Sequence, residues 1–358
     1  MELLASTIKM IKPLDGKAMA EARTRQDSLT KPRGSLGRLE EISVQLAGIQ
    51  GKAMPQIRQK VIITMAADHG VVAEGVSLYP KDVTAQMVAN FLQGRAAINA
   101  IARSIGATVV IVDMGVASNL PSHPGLISRK IAYGTQNMAL GPAMSHQEAI
   151  TAIETGIEIV NTEAAKGMDI VATGDMGIGN TTASSAITAI MTGKPVAQVT
   201  GRGTGVGCKQ LAHKKEVINR ALAVNKPDRA HPVDVLAEVG GFEIGGLAGV
   251  MLGAARRRIP VVIDGFISGA AALIATALSP ELKGYLIAAH VSAEAGHQIV
   301  LSHLGLSPLL DLKMRLGEGT GAALSIYLAE TSARLLAEMV TFAEAGVSER
   351  SNSDNKAA

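Results

Sequence analysis

The 358-residue chain has one cysteine, no tryptophan, and only four tyrosines and four phenylalanines. Because Cys208 stands alone, the sequence excludes an internal disulfide, and the lack of any Cys/His cluster argues against a structural zinc site. So few aromatic rings argue against a stacking surface for single-stranded nucleic acid. The formal net charge of +3 is too small for a basic nucleic-acid arm or a membrane-adsorbing face. We therefore expect no nucleic-acid partner and a reducing, cytoplasmic location.

Long hydrophobic runs are also missing. The longest apolar stretch follows Asp264 (GFISGAAALIATALS), which is shorter than the ~18 uninterrupted apolar residues of a membrane span and carries Ser and Gly throughout. The first 16 residues mix charged and apolar side chains, unlike a secretory signal. Since apolar residues still make up 47% of the chain, we expect a soluble protein with a sizeable core and a buried helix after Asp264.

Apolar runs alternate with helical patterns through the middle of the chain. The helix with the clearest signals covers Ser145–Lys166, where Ser145 and Glu148 fit a capping box and isoleucines recur at helical spacing. The runs are flat in hydrophobicity, as in strands that helices cover on both faces. The sequence therefore predicts an α/β fold with a mainly parallel sheet. The five predicted strands are Val61–Ala67, Thr108–Val112, Asp169–Thr173, Pro260–Ile263 and Tyr285–Ala289.

The two ends of the chain differ from the middle. Residues 1–60 show helical periodicity and no strand signal, and residues 320–346 have the pattern of one long helix. We expect these segments to form a small helical subdomain beside an α/β domain over residues 61–319. The polar tail, residues 347–358, is predicted to be disordered.

Each predicted strand is followed by polar residues. Asp68, Asp113, Asp175, Asp264 and His290 come directly or almost directly after the five runs, beside Gly or Ser. A single Asp at a strand end is more often a turn former or a helix cap. However, ligands bind outside the carboxyl ends of strands in open α/β sheets, so five such ends favour a ligand site at that edge.

Two glycine-dense loops suit a phosphate group. Residues 201–207 (GRGTGVG) offer backbone N–H groups without side-chain obstruction, and a lysine of the following His213–Lys215 segment could supply the counter-charge. A merely flexible loop explains the same composition about equally well. Residues 174–182 (GDMGIGNTT) open a helix but do not match GxGxxG, and no GxxxxGK[ST] is present. Asp264 is a lone acid, whereas phosphoribosyltransferases that use a pyrophosphate-activated ribose need a paired acid there for Mg²⁺.

Glu318 is the candidate general base. It lies between Gly317 and Gly319 ahead of an apolar helix, where a carboxylate is often only a helix cap. On the functional interpretation, the glycines let a substrate approach closely. The apolar neighbours Met314 and Leu316 would raise the pKa of the Glu318 carboxyl and suit it to proton abstraction near neutral pH.

Seven segments resemble one enzyme family. They are TKPRGSLGRLEE (Thr30–Glu41), AADHGVVAEGVSLYPKDVT (Ala66–Thr84), GDMGIGNTT (Gly174–Thr182), VGGFEIGGLAGVMLGAA (Val239–Ala255), DGFISGAAAL (Asp264–Leu273), HVSAEAGH (His290–His297) and MRLGEGTGAAL (Met314–Leu324). In this order they are similar to the nicotinate-nucleotide:dimethylbenzimidazole phosphoribosyltransferases, which assemble the lower-ligand nucleotide of cobalamin. The similarity runs from about residue 12 to 346.

The resemblance implies a reaction and an architecture. Members move 5-phosphoribose from β-nicotinate mononucleotide to 5,6-dimethylbenzimidazole, which gives α-ribazole 5′-phosphate and nicotinate. The cationic nicotinate ring is a good leaving group, so the resemblance implies no metal and no cofactor. It also implies a doubly wound parallel sheet with a small helical domain, and a homodimer whose site borders the partner.

The resemblance also implies roles for individual residues. Glu318 matches the catalytic glutamate, and Asp175 falls where the family commonly has Glu, so its reach toward the ribose hydroxyls is shorter. Lys214 aligns with a lysine near the phosphate. The acceptor base would be held by Tyr79, Met87 and Leu316. The residues expected to bind the mononucleotide are Asp175, Gly177, Gly203, Thr204, Lys214, Asp264, Ser292 and Gly317.

Two other functions fit the same residues. A nucleotide-binding sensor would keep the glycine loops but would not need a carboxylate beside C1′ of the ribose. A nucleosidase would hydrolyse the same N-glycosidic bond with two carboxylates, which Asp175 and Glu318 could supply. The native acceptor base is left open by the sequence.

Overall fold

The computed structural model describes residues 2–203 and 205–348, in which helices alternate with parallel strands. The strands are β1 (Lys60–Ala67), β2 (Thr108–Gly115), β3 (Leu126–Ser128), β4 (Ile170–Met176), β5 (Val261–Ile263) and β6 (Leu286–Ala288). The α-helices are α1 (Glu2–Met10), α2 (Gly16–Ser28), α3 (Arg38–Gln50), α4 (Asp82–Leu92), α5 (Ala97–Ile105), α6 (His146–Ala165), α7 (Asn180–Thr192), α8 (Val196–Val199), α9 (Cys208–Asn225), α10 (Pro232–Val239), α11 (Phe242–Arg256), α12 (Phe266–Leu278), α13 (Ala295–Leu304), α14 (Thr320–Glu338) and α15 (Phe342–Ala345). Two 3₁₀ helices cover Gly70–Glu74 and Pro280–Tyr285.

The described strands form one sheet in the order β3-β2-β1-β4-β5-β6, and every neighbouring pair is parallel. The predicted α/β class and all five predicted strands are confirmed. The sequence missed β3, because it is a three-residue edge strand whose residues are only partly buried and therefore lack a continuous apolar run.

The strand order determines where a ligand can bind. From β1 the chain adds strands toward one edge of the sheet and, from β4 on, toward the other edge. Loops that leave β1 and β4 therefore diverge to opposite sides and open a crevice at the carboxyl ends of these strands. Ala66 of β1 pairs with Met176 of β4 at that end. The glycine-rich segment that begins in β4 thus starts at the crevice.

Local signals account for the helix ends. The Ser145 hydroxyl accepts the Glu148 N–H and the Glu148 carboxylate accepts the Ser145 N–H, which confirms the predicted capping box of α6. The single long helix predicted over residues 320–346 is wrong, because α14 ends at Glu338. Thr341 then caps the short helix α15 through a second capping box with Glu344. A capping box begins a new helix and so competes with continuation of the old one.

The apolar stretch after Asp264 forms α12, a 13-residue helix that is buried over most of its length. The predicted buried helix is confirmed. Helices of the length and apolarity that a bilayer span requires are absent from the described part of the chain.

The chain divides into two compact units. The larger unit comprises residues 2–13 and 58–327, and the smaller unit comprises residues 14–57 and the described residues from 328 on. The predicted subdomain had different bounds, 1–60 with 320–346. Residues 2–13 belong with the sheet because α1 bonds to α6, where the Leu4 N–H donates to the Glu154 carboxylate at 3.1 Å. All but two residues of the predicted disordered tail, 347–358, lie outside the described residues.

Candidate active site

A cavity lies at the carboxyl ends of β4, β5 and β6, within the larger unit. Its walls come from four places: the turn from β4 into α7, the starts of the segments after β5 and β6, the glycine loop near residue 203, and residues just ahead of α14. The lining residues are Asp175, Met176, Gly177, Ile178, Asn180, Thr181, Gly203, Gly265, Phe266, Ile267, His290, Ser292, Glu294, Arg315, Leu316 and Gly317. The predicted ligand edge therefore receives residues from three of the five strand ends.

Glu318 sits in a tight left-handed turn beside this cavity. Its φ is 63°, between Gly317 at 85° and Gly319 at 91°. An L-residue in this region carries a conformational cost, whereas the flanking glycines do not. Two hydrogen bonds hold the turn, one from the Glu318 N–H to the Asp175 carbonyl (3.1 Å) and one from the Thr64 hydroxyl to the Glu318 carbonyl (3.0 Å). Such local strain, held by its surroundings, is typical of functional sites.

Gly174 allows the turn to approach β4. A Cβ at residue 174 would lie 2.3 Å from the Glu318 carbonyl oxygen and 2.8 Å from the Thr64 hydroxyl. Both distances are shorter than real Cβ contacts. Glycine is therefore required at residue 174 for the observed position of Glu318.

The Glu318 carboxylate is buried and hydrogen-bonded. Its Oε2 accepts the Ile98 N–H at 3.1 Å, and only 4% of the residue is exposed. Burial raises the pKa of this carboxyl, the Ile98 N–H partly opposes the rise, and the nearby Asp264 charge adds to it. Glu318 thus caps a helix, as one interpretation of the sequence expected, but the helix is α5 rather than α14.

Asp175 is the second buried acid at the cavity. Asn180 donates from Nδ2 to the Asp175 Oδ2 at 3.0 Å, whereas Oδ1 has no hydrogen-bond partner among the described residues. Burial raises the pKa of Asp175 well above its usual value, and the charges of Asp264, Glu243 and Glu318 reinforce the rise. Asp175 can therefore donate a hydrogen bond to a substrate hydroxyl when it is protonated, or accept one from the hydroxyl when it is charged.

Asp264 lies behind the cavity wall. Its Oδ1 accepts the Ala322 N–H at 2.8 Å, so it caps the N-terminus of α14. Burial raises the pKa of Asp264 to about 6, although His290, 3.8 Å away, favours the charged form. This geometry connects Asp264 to the segment that carries Glu318.

The opposite end of the cavity is basic. Lys214 is almost fully buried, and its Nζ donates to the Thr181 hydroxyl at 2.7 Å. Arg315 Nη1 donates to the Gly203 carbonyl at 3.0 Å, and the Gly203 N–H bonds to Glu294. Burial lowers the pKa of Lys214 to about 8, with partial opposition from the Glu294 charge. The predicted residue Thr204 lies outside the described residues.

The remaining predicted residues divide into two groups. Gly177, Ser292, Leu316 and Gly317 line the cavity. Tyr79 and Met87 do not line it: Tyr79 is half exposed in the loop before α4, and Met87 lies on α4. The structure connects α4 to the cavity through Thr84, whose hydroxyl accepts the Ile178 N–H at 3.2 Å.

The strand ends of β1 and β2 serve the scaffold instead. Asp113 accepts the Gly115 and Val116 N–H groups and pairs with Lys130. Asp68 accepts the Ala117 N–H at 2.7 Å, and His69 bonds to the buried Glu243 at 2.6 Å. Asp113 thus has the turn-forming role that a strand-end acid commonly has, whereas Asp68 and His69 bond to distant segments.

Sequence reasoning did not select four polar side chains at the cavity. These are Asn180, Thr181, Glu294 and Arg315. All four lie inside the quoted segments GDMGIGNTT, HVSAEAGH and MRLGEGTGAAL, so the motifs marked the right places. Which members of a motif face the cavity depends on long-range contacts, such as that from Arg315 to Gly203.

The site therefore has one acidic and one basic end. The basic end, with the cations of Lys214 and Arg315 beside the Glu294 carboxylate, suits a phosphate. The acidic end, with carboxylates of raised pKa, suits hydroxyl recognition and proton abstraction. Among residues 2–203 and 205–348, no group of three or more His, Cys, Asp or Glu side chains is arranged to hold a metal ion.

Comparison with known proteins first identifies the chain as a phosphoribosyltransferase and then assigns its family. A family model described as "Phosphoribosyltransferase" matches residues 11–347. The nicotinate-nucleotide–dimethylbenzimidazole phosphoribosyltransferase of Desulforudis audaxviator is 59% identical over 98% of this chain and 100% of its own length. The protein of the same name from a Roseiflexus species is 61% identical over 97% of this chain and 99% of its own. The chain belongs to the nicotinate-nucleotide–dimethylbenzimidazole phosphoribosyltransferase family.

A solved structure agrees with this assignment. The crystal structure of CobT from Thermus thermophilus aligns with a TM-score of 0.90 and 48% identity, over 93% of this chain and 100% of that one. The enzyme class expected from the sequence is thus confirmed. The similarity supports neither the sensor nor the nucleosidase.

Proposed function

We propose that the enzyme transfers 5-phosphoribose from β-nicotinate mononucleotide to 5,6-dimethylbenzimidazole or a related base, and releases nicotinate and α-ribazole 5′-phosphate. Both relatives compared above are nicotinate-nucleotide–dimethylbenzimidazole phosphoribosyltransferases, which supports these substrates. The observation that carries the chemistry is the buried Glu318 carboxylate, which a strained turn holds beside the cavity.

Glu318 acts as the general base. One ring nitrogen of the benzimidazole attacks C1′ of the ribose while the C1′–N bond to nicotinate breaks. The bonding electrons leave with the nicotinate ring, which becomes neutral at nitrogen and needs no proton. Glu318 takes the proton from the other ring nitrogen of the acceptor, so that the product is an uncharged benzimidazole. Attack from the face opposite the leaving group converts the β-linkage to the α-linkage.

The basic end of the cavity binds the 5′-phosphate. Lys214, whose ammonium lies next to Gly203, supplies the cationic donor, and Thr204 belongs to the same loop. Arg315 holds the Gly203 carbonyl and so orients the loop toward the phosphate. Thr181, which already bonds to Lys214, fixes the ammonium group near Gly203.

The acidic end binds the ribose. Asp175 offers an unpartnered carboxyl oxygen to the hydroxyls, and Gly177, Ser292 and Gly317 line the same cavity. Asp264 contributes through its hydrogen bond to α14. The acceptor base lies between Leu316 and the segment of Tyr79 and Met87.

We also propose a cytoplasmic homodimer. The single cysteine fits a reducing compartment, and the resemblance to the family implies the dimer. Light scattering of the purified chain tests the dimer, and a mass of 36.9 kDa in solution would contradict it.

One assay tests the reaction. Nicotinate mononucleotide is incubated with an equimolar mixture of dimethylbenzimidazole, adenine and a phenol, and both nicotinate release and the ribotide formed are followed by chromatography. We expect release to depend on an added base and the benzimidazole ribotide to dominate. Full release with water alone would indicate a nucleosidase, and binding without release would indicate a sensor.

A further inference from the structure

In helix α5 the Asn99 side chain accepts the Ala96 N–H at 3.1 Å, but the N-cap side chain accepts nothing from the first turn. Its N-cap residue is Ala96, whose methyl group cannot accept a hydrogen bond from the first turn. The acceptor comes from far along the chain, since Glu318 Oε2 takes the Ile98 N–H at 3.1 Å. A residue 220 positions away thus satisfies an amide that would otherwise be buried without a partner.

The contact fixes both ends of the Glu318 side chain. The backbone end is held by Asp175 and by Thr64, as described above. The carboxylate end is held by the α5 amide. Oε2 is therefore committed to the protein, and Oε1 is the oxygen that is free to take a proton from the acceptor base.

We propose that the Ile98 backbone amide is a positioning group for the base: its hydrogen bond orients the Glu318 carboxylate and stabilises the anion. This proposal rests on the proposed function, because it assigns a role in the reaction to a contact of Glu318. The amide touches no substrate and acts only through Glu318.

The charges around Glu318 explain why such a donor is needed. Asp264 faces it from the segment after β5, and its charge raises the pKa of Glu318; Asp175 faces it from β4, and there the Glu318 charge raises the pKa of Asp175. β1 faces it with the Thr64 hydroxyl, which bonds to the Glu318 carbonyl rather than to its carboxylate. The N-terminus of α5 favours the anion through its amide and its helix dipole. Without that amide the carboxyl would hold its proton at a higher pH.

The test compares Ile98→Pro with Ile98→Ala. Proline removes the N–H and is tolerated in the first turn of a helix, whereas alanine keeps the N–H and loses a similar amount of buried side chain. We measure kcat/KM for nicotinate mononucleotide from pH 5 to 9. The substrate phosphate titrates equally with every variant, so a difference between variants belongs to the enzyme. Loss of a hydrogen bond to a charged group should move the acidic limb of Ile98→Pro up by about one pH unit relative to Ile98→Ala.

Rescue at high pH separates this role from a structural one. If the amide stabilises the charged form of Glu318, the kcat/KM of Ile98→Pro approaches that of Ile98→Ala at pH values above the acidic limb, where the carboxyl is deprotonated in both variants. An Ile98→Pro profile that is lowered equally at all pH values, with its limb unmoved, would overturn the proposal.

A measurement on the unmodified chain covers the case in which Ile98→Pro does not fold. In the NMR spectrum of ¹⁵N-isoleucine-labelled enzyme, the Ile98 amide signal is identified as the one that is missing from the spectrum of Ile98→Val. We expect its proton shift to follow a titration that disappears in Glu318→Gln, and a shift independent of pH would overturn the proposal. Normal turnover of Glu318→Gln would contradict the assignment of Glu318 as the general base, and this result does not depend on the pH behaviour of the Ile98 amide.

Discussion

Two glutamates, one in each unit, are both hydrogen-bonded to backbone amides but differ in the sign of the neighbouring charge. Glu318 in the larger unit and Glu40 in the smaller unit are both largely buried, and both accept backbone N–H groups. Glu318 accepts that of Ile98 at 3.1 Å, and Glu40 accepts those of Leu36, at 3.0 Å, and Gly34. Glu40 also has the buried Lys31 ammonium at 2.7 Å, whereas Glu318 faces Asp264.

The pKa values of the two carboxyls move in opposite directions. Burial alone would raise the pKa of Glu40, but the hydrogen bond and charge of Lys31, with the N–H groups of Leu36 and Gly34, lower it. Burial raises the pKa of Glu318, and its one amide does not reverse the rise. A nearby cation thus makes a buried carboxylate a structural ion pair, and its absence leaves a carboxylate that takes up a proton at a higher pH than usual.

The largest expected effect comes from Glu318→Gln. Glutamine keeps the shape and the Ile98 contact but cannot accept the proton, so turnover should fall by ~10²–10⁴. Nicotinate release under saturating substrates measures it. Glu216→Gln, at an exposed residue of α9, is the control for loss of one negative charge and should keep its turnover. Near-normal turnover of Glu318→Gln would remove this residue from the mechanism.

Gly174→Ala tests whether the position of the base matters as much as its charge. The new methyl would collide with the Glu318 carbonyl and push the turn away from β4. Misplacement of a catalytic group by about 1 Å costs ~10² in rate, so we expect a loss of that order with Glu318 intact. Gly141→Ala, where the added Cβ meets nothing within 4 Å, is the matched control. Equal turnover of the two variants would show that the turn has room to adjust.

Lys214→Ala tests the basic end of the cavity. A lost hydrogen bond to a charged group should raise the KM for the mononucleotide by ~10-fold or more and change kcat less. Because the pKa of Lys214 is about 8, we also expect the wild-type KM to rise as the pH passes through 8, where the ammonium loses its charge. That rise should be absent in Lys214→Ala and present in Lys215→Ala. An unchanged KM in Lys214→Ala would leave this lysine a structural role.

The fold could be predicted from the sequence wherever a local signal decides the structure. Flat apolar runs identified five strands, and the Ser145–Glu148 pair located the start of α6. The end of α14 was missed, because its helical pattern continues past Glu338 and the Thr341 capping box is easily overlooked inside it.

The site could be predicted only as segments. Glu318 was selected because the two glycines beside it are a local signal. Its contact with Ile98 was not predicted, since nothing near either residue in the sequence indicates the other. The same holds for Arg315 and Gly203, which are joined by a hydrogen bond across 112 positions.

The smallest effect concerns stability and has opposite signs for the two glutamates. Because the pKa of Glu318 is raised in the folded state, its charge lowers the free energy of unfolding at neutral pH. Below the pKa of the unfolded chain this cost disappears, since the carboxyl is then protonated in both states. The folded-state pKa of Glu40 is lowered, so its charge stabilises the fold above its unfolded pKa, and this contribution is lost as the pH falls through the folded value. At pH 7.5 we expect Glu40→Gln to lose about 1 kcal/mol of unfolding free energy and Glu318→Gln to gain up to about 1 kcal/mol.

Urea unfolding between pH 4 and pH 8 measures both differences from the wild type. The gain of Glu318→Gln should shrink first as the pH is lowered, because that carboxyl takes up its proton at the higher pH. The loss of Glu40→Gln should persist to lower pH, since Lys31 keeps Glu40 charged. If both variants were destabilised equally and with the same pH dependence, the charge beside each carboxylate would not be what separates a structural glutamate from a catalytic one.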